Sequence, residues 1–198
     1  MPLCGVIFDL DGTLVDSGLD FDAIRADLNL SSGKPILEAL DEMPKGTHQE
    51  ECWRILHDHE MLGAKRAVLM PGVSEFLGEL FERNIATGIL TRNSRKSTMA
   101  VLERFSLGFS QVKTRNEVPP KPDPTGLLEI CDMWNVSVDE VLFFGDFLFD
   151  LQAGQNAGIR TVLFAPDGLP EYAHQADFTI QDFAEASSLI AGLIEGRD

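Results

Sequence analysis

Apolar and polar positions follow two different rhythms along this chain, and the change falls near residue 70. Beyond it, short apolar runs alternate with stretches of helical spacing. Residues 85–90, 141–144, 160–164 and 178–180 are brief and mostly apolar, as expected for strands covered on both faces of a parallel sheet; residues 111–114 form a shorter candidate. Residues 72–83, 94–105, 125–134, 149–157 and 183–194 carry apolar side chains at helical intervals, and in the first of them Val73, Phe76, Leu77 and Leu80 share one face. Alternating helix and strand predict an α/β domain, a Rossmann-like parallel sheet with helices on both faces. Residues 4–8, ending Val-Ile-Phe, supply a first strand close to the N-terminus.

Between residues 17 and 70 the pattern is helical and irregular, with no strong strand. Phe21, Ile24, Arg25 and Leu28 fall at helical spacing, as do Ile36, Leu37 and Leu40, with Ser32-Gly33 punctuating between them. Residues 51–62 predict a longer helix, with Trp53, Leu56 and Ile55 as the candidates to face inward. The organisation expected is therefore a core of residues 1–16 and 71–198 with a small all-α insert, residues 17–70, placed after the first strand.

Composition narrows the possibilities. The chain has 198 residues, 44% hydrophobic and 24% charged, a globular balance that leaves room for one sizeable core carrying a small insert. No apolar run approaches the roughly 20 residues that a bilayer span needs. The start, Met-Pro-Leu-Cys, lacks the basic-then-apolar order of a leader, which points to the cytoplasm. A formal charge of −16 repels nucleic acid and anionic membrane surfaces, while leaving a small anionic ligand free to bind where cations are locally concentrated. Cys4, Cys52 and Cys131 have no metal-type spacing and fit reduced thiols.

The chemistry gathers where strands end. The first strand stops at Asp9-Leu10-Asp11-Gly12-Thr13. If the chain stays extended through Leu10, the period of two points both carboxylates to one side, and Gly12 permits the turn that follows. Asp-Leu-Asp-Gly-Thr is equally a plain turn on composition alone. Three further polar sites share the same address: Thr91, with Arg92 and Asn93, follows the second strand, Lys121 lies in the proline-rich loop beyond the third, and Asp146 follows the fourth, with Asp150 one turn later. In open parallel sheets, ligands bind in the crevice outside the carboxyl ends of the strands. Thr91, Asn93 or Ser94 could simply cap the next helix, although a capped helix N-terminus is itself an anion site. Lys121 on its own reads as a solvated lysine, yet its flanking prolines stiffen the backbone that presents it. Taken together, Asp9, Asp11, Asp146 and Asp150 offer oxygens suited to Mg²⁺, and Thr91 and Lys121 offer a hydroxyl and a positive charge to an anionic group. Phosphoryl transfer needs this combination.

The same residues, in this order, resemble all four motifs of the haloacid dehalogenase superfamily: Asp9-Leu10-Asp11-Gly12-Thr13; Thr91; Lys121 in Pro-Lys-Pro-Asp-Pro; and Gly145-Asp146-Phe147-Leu148-Phe149-Asp150. The resemblance spans nearly the whole chain. It implies that Asp9 is a nucleophile forming an aspartyl-phosphate, and that Asp11 is the acid/base whose backbone carbonyl is a metal ligand. It further implies that Thr91 and Lys121, with Arg92 and Asn93 in the same phosphate-binding group, hold the phosphate, and that Asp146 ligates Mg²⁺ with support from Asp150. The insert is similar to the helical cap of the phosphoglycolate phosphatase-like branch, though short for it, and Arg92 and Phe147 replace residues that are often small or polar. The activity implied is Mg²⁺-dependent hydrolysis of a small phosphorylated metabolite. The alternatives are a phosphomutase acting on a sugar phosphate and, from a different class, a phospho-accepting receiver-type module. Arg25 and Lys34 in the insert, together with Arg92, are the cations available to read the rest of a substrate.

Overall fold

The computed structural model of the chain describes residues 2–196. Its central strands owe their position to unbroken apolar runs: β1 (Gly5–Phe8) and β6 (Val141–Gly145) are buried along their whole length. They pair in parallel, flanked by β4 (Ala86–Leu90), β5 (Gln111–Lys113), β7 (Arg160–Phe164) and β8 (Phe178–Ile180), giving a six-stranded parallel sheet in the order β5-β4-β1-β6-β7-β8. Alternate side chains fill opposite layers. Val6, Phe8, Leu142 and Phe144 enter one core with α4 (Val73–Glu82), α5 (Arg95–Phe105) and α8 (Phe183–Glu195). Ile7, Val141 and Phe143 enter the other with α6 (Thr125–Trp134) and α7 (Leu148–Ala157). Both faces are thus covered, which is why these strands read as continuous apolar runs.

The chain runs from β1 outward through β4 and β5 and then returns to β6 on the other side of β1. This reversal opens a crevice at the carboxyl ends of β1, β4 and β6, the switch point of an open α/β sheet.

The stretch between β1 and α4 is mostly helical. α1 (Phe21–Asp27), α2 (Ile36–Asp41) and α3 (Thr47–Arg66) enclose a separate small core of Ile24, Leu28, Ile36, Leu37, Leu40, Cys52 and Leu56. Two features differ from the sequence pattern. α3 is longer than residues 51–62, because its first turn is polar and its last carries Lys65 and Arg66, favourable at a helix C-terminus but silent in apolar periodicity. Where the chain leaves and re-enters the core, β2 (Val15–Asp16) and β3 (Val68–Leu69) form an antiparallel ladder, and Met70 N–H donates to the Leu14 carbonyl at 3.0 Å. Two-residue strands are too short to leave a period. Met1, Arg197 and Asp198, which the expected core range includes, lie outside the described residues. Among the described residues no helix is long and apolar enough to cross a membrane.

Candidate active site

Asp9 is the first residue beyond β1, and its N–H still bonds to the Phe144 carbonyl at 2.8 Å, so the rigid centre of the sheet holds its backbone. Beyond β6, two close approaches shape the crevice. Gly12 has φ +89°, and a Cβ there would lie 2.3 Å from Asp146 Oδ2; one at Gly145 would lie 2.3 Å from Asp150 Cβ. Any side chain at either position would push an acid out of the site. Asp146 accepts the Thr13 hydroxyl at 3.0 Å, and Asp150 accepts the Phe147 N–H at 2.9 Å. Oxygens of Asp9, Asp146 and Asp150 come to lie within 4.8 Å of one another.

Lys121 enters this cluster from the loop after β5. Its Nζ lies 2.6 Å from Asp9 Oδ1 and 2.5 Å from Asp150 Oδ1, and it is almost wholly buried. Burial alone would favour the neutral amine, but Asp150 and Asp9 outweigh it and raise the lysine's pKa. Burial likewise pushes the Asp9 carboxyl up to about 6, against the pull of Lys121. Asp146 rises to about 8, through burial and then repulsion from Asp150 and Asp9. Three acids share one ammonium. A further positive charge with hard oxygen preference fits that donor set, since it would offset the repulsion that raises Asp9 and Asp146.

Asp11 faces the same cavity as Asp9 but is held apart from the three-acid cluster. Its carboxylate accepts the Ser17 N–H at 3.0 Å and the Ser17 hydroxyl at 2.6 Å. Burial raises its pKa while those two bonds pull it down. Thr91, at the end of β4, is fixed by its N–H bond to the Lys113 carbonyl, and its hydroxyl accepts the Asn93 N–H at 3.2 Å. Ser94 caps α5 by accepting the Ser97 N–H. Both roles weighed for this turn, cap and cavity wall, are therefore filled, by neighbouring residues.

The cavity above the cluster, ≈ 390 Å³, is bounded by Asp9, Asp11, Thr91, Asn93, Lys121, Asp146 and Asp150 below and by the insert above. Arg92 joins the two: its Nη2 donates to both Glu38 carboxylate oxygens at 2.8 Å, its Nη1 to the Lys121 carbonyl, and its guanidinium lies 4.7 Å from the Phe149 ring centre. Arg25 borders the cavity, bonded to Asp22 and to the Lys34 carbonyl. Lys34 does not border it, and its ammonium lies 3.5 Å from Glu42.

Two residues of the site escaped sequence reasoning. Glu60 of α3 is buried, ion-paired to Arg115, whose side chain is 9% exposed, and accepts the Ser94 N–H at 3.3 Å. Arg115 also donates to the Arg92 carbonyl at 2.9 Å. The insert thereby grips the turn containing Arg92 and Ser94. A signal existed: Cys52, Leu56 and Glu60 recur every four residues on the inward face of α3, so an acid stands where the period calls for an apolar side chain.

Comparison with known proteins agrees with this geometry. The family model described as haloacid dehalogenase-like hydrolase matches residues 6–164. The chain is 32% identical to a haloacid dehalogenase-like hydrolase domain-containing protein of Arabidopsis thaliana, covering 95% of this chain and 84% of that protein. It is 28% identical to a phosphoglycolate phosphatase of Psychrobacter arcticus, over 79% of this chain and 81% of the relative. Among solved structures, a HAD-superfamily hydrolase from Geobacter sulfurreducens superposes with a TM-score of 0.68 at 25% identity, covering 95% of this chain and 96% of that one.

Proposed function

The chain belongs to the haloacid dehalogenase-like hydrolases, and from that premise we propose that it is a phosphatase: it hydrolyses a small phosphomonoester through an aspartyl-phosphate on Asp9. The observation that carries the proposal is the clustering of Asp9, Asp146 and Asp150, with Asp9 and Asp150 ion-paired to Lys121, at the floor of one cavity. Asp9, Asp146 and Asp150 would hold Mg²⁺, with the Asp11 carbonyl that the family pattern assigns to it. When bound, the ion supplies charge that neutralises the phosphoryl oxygens.

The remaining work falls to the chain. Lys121 and the Thr91–Asn93 turn bind the phosphate oxygens, the lysine by charge and the turn by its hydroxyl and N–H groups. An oxygen of the Asp9 carboxylate attacks phosphorus, the bond from phosphorus to the ester oxygen breaks, and Asp11 gives its proton to the departing alkoxide. Water then attacks the phosphorus of the acyl-phosphate and loses its proton to Asp11. Inorganic phosphate leaves, and Asp9 returns to a carboxylate. Asp11 suits this part because Ser17 holds it beside the cavity and outside the three-acid cluster. The receiver-type alternative is set aside by family membership and by the helical insert that follows Asp9.

Two variants test the mechanism. Asp9→Asn keeps the shape and removes the nucleophile, so turnover of 4-nitrophenyl phosphate should vanish. Asp11→Asn should slow turnover by about 10²–10⁴-fold and let covalent phosphate accumulate on Asp9, visible by intact mass after rapid acid quench and by peptide mapping. Ordinary turnover by Asp9→Asn would overturn the covalent route.

A further inference from the structure

Above the acid cluster the cavity changes character. Its upper walls are Leu19, Phe21, Ile24, Ile36 and Leu37 from the insert, faced by Phe147 and Phe149 from the core. Phe21 and Phe147 are 52% and 51% exposed, large apolar side chains spent on lining an opening instead of filling a core. Phe147 meets both Phe149 and Tyr172 edge to face, with ring centres 5.4 and 5.9 Å apart, so the core side of the cavity is an aromatic shelf.

The charged groups that border the upper cavity are already matched. Arg25 is engaged by Asp22 and the Lys34 carbonyl, Arg92 by Glu38 and the Lys121 carbonyl, and Glu60 by Arg115. Lys121 is engaged by Asp9 and Asp150 at the floor. A leaving group with its own carboxylate would have to compete with Asp22 for Arg25 or with Glu38 for Arg92, close to the floor acids. A polyol would bring hydroxyls to apolar walls that offer them few partners. A flat hydrocarbon meets neither cost and gains from ring contacts with Phe21, Phe147 and Phe149.

We propose that the site takes phosphomonoesters whose leaving group ends in an aromatic hydrocarbon, in preference to those of hydroxy acids or sugars. The inference rests on the phosphatase reading, since it assigns the phosphate to the floor and the organic group to the walls above. Phe21, at the start of α1, is its specificity-determining residue on the insert side.

The test uses the full chain with Mg²⁺ and four alkyl esters: 2-phenylethyl phosphate, methyl phosphate, phosphoglycolate and glucose 6-phosphate. All four release aliphatic alcohols, so differences report recognition and not leaving-group reactivity. We expect kcat/KM for 2-phenylethyl phosphate to exceed that for each of the other three by about tenfold or more, chiefly through KM. Phe21→Gln should raise KM for 2-phenylethyl phosphate at least about threefold more than KM for methyl phosphate, as loss of one apolar wall predicts. Equal or faster hydrolysis of phosphoglycolate or glucose 6-phosphate would overturn the assignment while leaving the phosphatase reading intact. Equal KM changes in the variant would remove Phe21 from it. If no ester turns over, the phosphatase reading fails, and calorimetry with 2-phenylethylphosphonate and methylphosphonate decides the rest. Tighter binding of the aromatic phosphonate by about tenfold supports the apolar recognition, and equal affinities overturn it.

Discussion

Asp146 accepts a hydroxyl hydrogen bond from Thr13, its backbone carbonyl accepts the Tyr172 hydroxyl, and burial followed by repulsion from Asp150 and Asp9 raises its carboxyl against the pull of Lys121 and Thr13. Its carboxyl is raised to about 8 and that of Asp9 to about 6, from an ordinary 3.8. Between these values and the ordinary one, the folded protein keeps protons that the unfolded chain has released. Stability of the metal-free protein must therefore fall as pH rises from about 4 to about 8, the reverse of a salt-bridged acid. Thermal melts in EDTA across that range should show it. In Asp146→Asn the part of the decline above about pH 6 should be absent. A metal-free protein whose melting temperature climbed steadily over the window would contradict the burial of these acids.

At the level of elements, α3 of the insert is tied to the turns that follow β4 and β5. Glu60 meets Arg115 there with side chains only 3% and 9% exposed, and both bond to the turn at Arg92 and Ser94. Removing one partner of a buried pair leaves the other charge uncompensated, which costs about 3–5 kcal/mol. Glu60→Gln should accordingly lower the urea midpoint with little change in slope, and should raise KM because the phosphate-binding turn loses its brace. The Arg92–Glu38 bridge is a different case. Glu38 keeps 40% of its side chain exposed, so solvent screening leaves that bridge worth about 0–1 kcal/mol in stability. Glu38→Gln should barely move the melting temperature. A drop as large as that of Glu60→Gln would mean that the two ties act as one unit.

For the molecule as a whole, the sheet's topology brings four separated stretches of chain to one end, and the cost is a concentration of negative charge. Excess EDTA should abolish turnover of an aryl phosphate. Added Mg²⁺ should raise the melting temperature more at about pH 8 than at about pH 5, because the ion binds the deprotonated acids. Turnover undiminished in EDTA would remove the metal from the reading.

Much of this was legible in the sequence because it rests on local rules. Unbroken apolar runs such as residues 141–144 had to be doubly covered strands, and Gly12 after two acids marked a turn at a strand end. A shared place for Asp9, Thr91, Lys121 and Asp146 was expected from the rule that ligands sit at the carboxyl ends of parallel strands. Other features depend on which side chains meet across the fold. Arg25, Arg92 and Lys34 look alike as cations in the sequence, yet Asp22 engages Arg25 within one turn of α1, whereas Glu38 reaches Arg92 across 54 residues that only folding brings near. Glu60 and Arg115 are 55 residues apart, and neither shows its partner in a window of any helical period. The sequence by itself thus determined the sheet, the helices and the acids of the floor, through periodicity and motif. Tertiary structure alone decided which charges are matched and which walls remain apolar, because burial and pairing are properties of contacts between distant residues.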